Sequence, residues 1–115
     1  MSIEAFGNQH VLSPRQRALG ELLDLSEQIL SFAQLGDWGS AVKLQRYRRT
    51  GMDQFFAQTC PPSESADIAR VIERILELDA QVSDILYNYR NKLVQESGAG
   101  TRSIRQLDSY LSNSV

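Results

Sequence analysis

The chain has 115 residues, of which 42% are hydrophobic and 23% are charged, and its formal net charge is −2. This length suits one domain with one core, and the acidic total argues against a broad electrostatic attraction to nucleic acid. No apolar run approaches the roughly 20 residues needed to span a bilayer, and the N-terminus lacks a signal-peptide pattern. The single cysteine, Cys60, cannot form an internal disulfide, so we predict a cytoplasmic protein.

The first part of the chain predicts a loose arm followed by a helix. Residues 1–12 show no periodicity, and we expect them to form the arm. Ser13, Pro14 and Gln16 then form a helix-start signature, in which Ser13 is the N-cap and Gln16 completes a capping box. The first helix should end at Gly36, because glycine readily adopts the left-handed conformation that closes a helix.

A second helix is predicted to begin with Asp37 as its N-cap and Trp38 in its first turn. It should continue to the Cys60-Pro61-Pro62 sequence, because proline lacks the amide donor and restricts the residue before it. Either Ser63 or Ser65 can cap the helix that follows.

The longest predicted element runs from Ser65 to Gln95 and contains no proline or glycine. Its apolar residues follow one another at alternating steps of four and three, which places them in one stripe along a helix of about 45 Å. The Gly-containing segment 98–100 then predicts a hinge. Thr101 can cap a short last helix over residues 102–111, which is too short to be stable alone in water.

These elements predict an all-α fold, namely an antiparallel three-helix bundle with a long third helix and a short, hinged C-terminal fourth helix. We expect a single helical domain over residues 1–115, with the arm at 1–12, the bundle at 13–97, and the hinge and last helix at 98–115. The third helix is about ten residues longer than the others, so its end should project and expose an apolar patch, which usually marks an interaction site. The last helix either covers that patch removably or is a permanently docked fourth helix of the core.

Side chains that could support catalysis are sparse in this sequence. His10 lies in the arm without a second histidine or a cysteine partner, and Cys60 before a proline is better explained as a helix-ending turn than as a haem-regulatory motif. The carboxylates of Glu73, Glu77 and Asp84 fall at helical spacing, but arginines lie between them, so they predict a solvated face rather than a metal site. We therefore predict no enzymatic activity, no metal and no cofactor.

Asp79 interrupts the apolar stripe of the third helix. A carboxylate in a core is costly unless it is paired or hydrogen-bonded. In an antiparallel bundle Asp79 would lie within about one turn of Arg48, so we predict a pair between them, or a hydrogen bond to Gln45 or Tyr47, that fixes the register of the second and third helices. The alternative is that Asp79 lies at the edge of the stripe, in water.

Two stretches of the chain resemble a known family. Residues 36–38 (Gly-Asp-Trp) open the second helix, and residues 75–82 (ILELDAQV) lie in the third helix, which continues through residues 89–93 (YRNKL). Together they are similar to the FliT-type flagellar export chaperones, over most of residues 15–111. The resemblance implies a cytoplasmic chaperone that binds the filament-cap protein before export. It also implies that the C-terminal helix restrains partners, including the export ATPase complex and a flagellar transcriptional regulator.

We therefore predict a chaperone or adaptor that binds an amphipathic helix of an exported flagellar protein in a groove. The resemblance favours the removable cover. The sequence does not decide between a monomer and a homodimer. The alternative function is a regulator that binds a transcription factor or nucleic acid through the basic stretch Lys43–Arg49, with a steep dependence on salt. The predicted partner-binding residues are Tyr87, Tyr89, Leu93 and Val94, and the predicted cover consists of Ile104, Leu107 and Leu111.

Overall fold

The computed structural model describes residues 13–95 and 101–113, and this part of the chain forms four α-helices and no strand. The all-α fold predicted from the sequence is therefore confirmed. The predicted arm (residues 1–12) and hinge (98–100) lie outside the described residues. The helices are α1 (Pro14–Gln34), α2 (Trp38–Phe56), α3 (Ser65–Gln95) and α4 (Thr101–Asn113), with a 3-10 turn at Pro62–Glu64.

The helix caps predicted for α1 and α2 are present in the structure. The Ser13 hydroxyl oxygen accepts a hydrogen bond from the Gln16 amide (3.1 Å), and the Gln16 side chain accepts one from the Ser13 amide (2.9 Å), which completes the capping box. Gly36 has a φ of +75° and closes α1. Asp37 then accepts a hydrogen bond from the Ser40 amide at 3.1 Å and caps α2.

The corner between α2 and α3 differs from its prediction. Helix α2 ends at Phe56, before the prolines, and neither Ser63 nor Ser65 caps α3. The 3-10 turn leads directly into α3 instead, and the Ser65 hydroxyl donates to the Pro62 carbonyl at 2.8 Å. The short turn already satisfies the first amides, so no serine cap is required.

Arg15 of α1 holds this corner in place. Its guanidinium donates to Glu64 (2.9 Å) and to Gln58 (2.9 Å), and it lies 4.4 Å from the centre of the Phe55 ring. The thiol of Cys60 accepts a further hydrogen bond from Arg15 at 3.2 Å. Contacts of one α1 side chain therefore tie α1 to the last turn of α2 and to the segment that connects α2 with α3.

Helix α1 lies between α2 and α3 and packs against both. No Cα atom of α2 (residues 38–56) lies within 8 Å of a Cα atom of α3 (residues 65–95). Helix α4 packs chiefly against α2 and more sparsely against α3, so it occupies the space that these two helices leave between them. Helices α2 and α3 therefore meet through long side chains, such as the Trp38 and Tyr89 rings, rather than through a close approach of their backbones.

The buried apolar residues form two clusters. The first, the corner cluster, joins the start of α1, the end of α2 and the start of α3; it comprises Leu19, Leu22, Leu23, Phe55, Val71, Ile75 and Leu78. The second, the α4 cluster, lies at the opposite end of the bundle; it comprises Ile29, Ala33, Trp38, Ala41, Val42, Val82, Leu86, Leu107 and Tyr110.

Candidate functional site

The candidate site is the groove between the first half of α2 and the second half of α3, which α4 covers. Trp38 of α2 is 2% exposed and lies at the centre of this groove. Its ring meets the Tyr110 ring of α4 edge-on, with centroids 5.5 Å apart, and the Tyr89 ring of α3 at 6.4 Å. These are favourable distances for aromatic pairs. One tryptophan therefore contacts both the wall and the cover of the groove.

Two side chains of α4 fill the groove. Leu107 is completely buried, Tyr110 is 4% exposed, and Leu111 is partly buried beside them. The side chain of Ile104, the third residue of the predicted cover, lies outside the described part of the structure. Tyr110 was missing from the sequence prediction, although its position three residues after Leu107 places both on one face of a helix.

An ion pair on the surface joins α4 to α3. Arg90 of α3 donates to Asp108 of α4 at 3.3 Å, but both side chains are largely exposed, and such surface pairs contribute little. Gln106 approaches α2 at Gly39, where an added Cβ would lie 3.5 Å from its amide nitrogen. The attachment of α4 therefore depends mainly on the burial of its apolar side chains.

Burial, and to a lesser extent the negative charge of Asp79, raise the pKa of Tyr110 to about 12, while the positive charge of Arg48 acts in the opposite direction. The phenol is therefore neutral at physiological pH.

The four predicted partner-binding residues divide into two pairs. Tyr89 and Leu93 are partly buried and pack against the α4 cluster. Tyr87 and Val94 are 55% and 61% exposed, so the expectation that α4 covers all four is wrong. The reason is helix geometry, since a residue two positions before Tyr89 or one after Leu93 points to another face.

An ion pair crosses the space between α2 and α3 where α4 ends. Arg48 donates to both carboxylate oxygens of Asp79, at 2.8 and 3.2 Å, and to the Ser26 hydroxyl of α1 at 2.9 Å. Arg48 and Asp79 are the two residues that the sequence predicted to pair, whereas Ser26 was not anticipated. Neither Gln45 nor Tyr47 provides a hydrogen bond to Asp79 in the described part of the structure, and Arg48 is the partner instead.

Two buried polar atoms of α2 have no hydrogen-bond partner among the described residues. They are the indole Nε1 of Trp38 and the side-chain Oε1 of Gln45, and each residue is 2% exposed. Gln45 was considered as a partner of Asp79, but it is buried one turn closer to the start of α2 than Arg48.

A sequence model described as "Flagellar protein FliT" matches residues 16–113, which include nearly all of the four helices. The chain belongs to the FliT family. Membership of this family implies a role as a flagellar export chaperone. No curated protein and no solved structure matches the chain significantly.

The basic stretch Lys43–Arg49 of this FliT-family chain exposes fewer positive charges than its sequence indicates. Lys43, Arg46 and Arg49 are exposed, as is Tyr47, but Arg48 is 7% exposed and paired with Asp79. An open cleft of about 400 Å³ lies near this stretch, between α1 and α2, with Tyr47 and Phe55 among its lining residues. Three exposed cations remain available on this face.

The carboxylates considered as metal ligands are dispersed on the surface of this FliT-family chain. Glu73 and Asp84 are exposed, and Glu77 pairs with Arg74 at 3.1 Å. Over residues 13–95 and 101–113 no three acidic, histidine or cysteine side chains lie close enough to hold a metal ion. No helix in those same ranges has the length and hydropathy needed to cross a bilayer.

Proposed function

We propose that this FliT-family protein binds a helical segment of the flagellar filament-cap protein in the groove that α4 covers, and that the cargo helix displaces α4. One observation supports this proposal above all others: the apolar side chains Leu107 and Tyr110 of a separate short helix fill an apolar groove, and the ion pair of that helix with α3 is partly exposed. The proposed place of action is the cytoplasm, before the cargo enters the export apparatus.

The energetics of α4 suit a cover that can be removed. A helix of 13 residues is marginal in water, so α4 is helical because it packs. Burial of Leu107 stabilises the docked helix by about 1.5–3 kcal/mol, and the cost of ordering the segment offsets part of that gain. A longer amphipathic helix that buries more apolar area therefore outcompetes α4.

The groove residues have distinct proposed roles. Tyr89 and Leu93 would contact the cargo helix once α4 leaves, while Tyr87 and Val94 would contact flanking parts of the partner from the exposed face of α3. The export ATPase complex and a flagellar transcriptional regulator are proposed as further partners. The exposed cations of α2 form a basic patch that would bind an acidic surface of the regulator. A homodimer is compatible with the same exposed face of α3.

The experiment compares full-length wild-type protein with Leu107→Ala in a titration of the labelled C-terminal segment of the filament-cap protein. Loss of the buried leucine loosens α4, so we expect the variant to bind about tenfold more tightly. Ser112→Ala, an exposed change on the same helix, is the matched control and should leave the affinity unchanged. Trp38, the single tryptophan, reports displacement of α4 by its fluorescence.

Each outcome of this titration has a separate meaning. Equal affinities for wild type and Leu107→Ala would support the chaperone function but contradict the removable cover. Absence of binding by both proteins, with both shown to be folded, would contradict the proposed cargo. Binding of duplex DNA with a steep salt dependence would instead support the regulator that acts through residues 43–49.

A further inference from the structure

Two buried polar groups of α2 lack hydrogen-bond partners among the described residues, beside the apolar contacts of the groove. The N–H of Trp38 and the side-chain carbonyl of Gln45 are buried without partners in the described part of the chain. The buried residues of α4, Leu107 and Tyr110, leave both atoms unsatisfied, although the Tyr110 ring touches the Trp38 ring. Buried N–H and carbonyl groups nearly always have hydrogen-bond partners in native proteins. Two such groups without partners therefore need an explanation.

The two atoms have a defined spacing. Trp38 and Gln45 are seven residues apart on α2, which is two helical turns, so their backbones lie about 10 Å apart along one face. Both belong to the half of α2 that α4 packs against. Trp38 touches Tyr110 of α4 and Gln45 lies on the same face of α2, so we expect a helix that runs along α2 in the groove to reach first one atom and then the other, about two of its own turns later.

We propose that the helix that replaces α4 carries two neutral polar side chains, about seven residues apart, within its apolar face. One accepts a hydrogen bond from the indole N–H of Trp38, and the other donates one to the carbonyl of Gln45. Glutamine, asparagine, serine and threonine can fill either role, whereas a charged side chain would lose its hydration in the groove. This inference rests on the proposed function and deepens it, because it states which amphipathic helices the groove selects.

The same arrangement explains how one groove can hold α4 and still release it. Helix α4 supplies the apolar contacts and omits the two hydrogen bonds, so it is a weak occupant of its own groove. A cargo helix that supplies both contacts and hydrogen bonds is preferred, and a fully apolar helix is not. Unpaired polar groups in a binding site discriminate strongly against ligands that lack their partners.

The first test uses Gln45→Met, which replaces the amide with an apolar side chain of similar length, in the full-length protein. Removal of the unpaired carbonyl should raise the midpoint of urea denaturation, because the free protein no longer buries an unsatisfied group. The same variant should bind the C-terminal segment of the filament-cap protein about tenfold more weakly, which corresponds to about 1.4 kcal/mol. Gln54→Met, an exposed change on the same helix, should alter neither quantity.

The second test changes the partner. In the filament-cap segment, each polar residue of the apolar face is replaced in turn with leucine. Two positions about seven residues apart should each weaken binding to the wild type about tenfold. One of these replacements should hardly weaken binding to the Gln45→Met variant any further. The other should hardly weaken binding to Trp38→Phe any further, because that variant keeps a ring but lacks the N–H.

The outcomes separate this inference from the proposed function. If the wild type binds the segment and Gln45→Met binds it equally well, the inference is wrong and the chaperone stands. If the denaturation midpoint is also unchanged, water satisfies the Gln45 carbonyl, which equally overturns the inference. If folded wild type does not bind the segment at all, the proposed function fails and the inference fails with it.

Discussion

Replacement of Asp79 by alanine should destabilise the protein more than replacement of its partner Arg48 by methionine. The side chain of Arg48 is 9% exposed, so Asp79→Ala leaves a buried cation without its counter-charge. The side chain of Asp79 is 34% exposed, so water can solvate the carboxylate that Arg48→Met leaves behind. The two halves of one ion pair therefore have unequal costs.

The size of the difference follows from burial. Loss of one partner from a buried pair costs about 3–5 kcal/mol, and the partial exposure of Asp79 reduces this to about 2–4 kcal/mol for Asp79→Ala. Arg48→Met retains an apolar chain of similar length, and Ser26 keeps its bond to the Leu22 carbonyl, so we expect about 1 kcal/mol. The double variant should resemble Arg48→Met alone, because the buried cation is then absent.

Urea denaturation followed by far-UV circular dichroism measures these free energies of unfolding. The melting temperature should fall by about 4 °C for each kcal/mol lost in a domain of this size. Arg74→Met serves as the control, because the pair of Arg74 with Glu77 is about half exposed and should contribute less than about 0.5 kcal/mol. An equal or larger loss for Arg48→Met than for Asp79→Ala would refute the reasoning from burial.

Other predictions follow from single features of the fold. Because the pKa of Tyr110 is raised to about 12 when folded, the neutral phenol stabilises the docked α4 below about pH 10, and this stability is lost as the pH rises from 10 towards 12. Titration of Trp38 fluorescence should show that loss in wild type and its absence in Tyr110→Phe. Gly36→Ala should cost about 1–2 kcal/mol because φ is positive there, whereas Gly39→Ala, with room for a Cβ, should be neutral or slightly stabilising in the same thermal melts. Ser13→Ala should remove about 1 kcal/mol of stability by loss of the capping box, measured by urea denaturation.

Much of the fold could be predicted because its signals are local. The capping box at Ser13, the positive φ of Gly36 and the bounds of α3 each depend on residues within a few positions of one another. The pairing of Arg48 with Asp79 could be predicted for a different reason. A carboxylate in an apolar stripe needs a partner, and the antiparallel order of the helices left few candidates.

The arrangement of the helices could not be predicted in the same way. Periodicity identifies the buried face of a helix but not the neighbour that buries it, so the position of α1 between α2 and α3 has no sequence signal. The segment after α2 is held by Arg15, which is more than 40 residues away from Gln58 and Cys60 in sequence. The unpaired atoms of Trp38 and Gln45 likewise have no sequence signal, because pairing depends on neighbours from other helices.

The separation of α2 from α3 has a consequence for the kinetics of exchange. Because α1 packs against both helices and the Arg48–Asp79 pair links them without any residue of α4, we expect the slot between them to keep its width when α4 leaves. Replacement of α4 by another helix would then require no rearrangement of the three-helix body. The rate of exchange would be set by how often α4 opens, so changes that loosen α4 should accelerate cargo uptake, while the rate of direct entry into an open slot should stay the same.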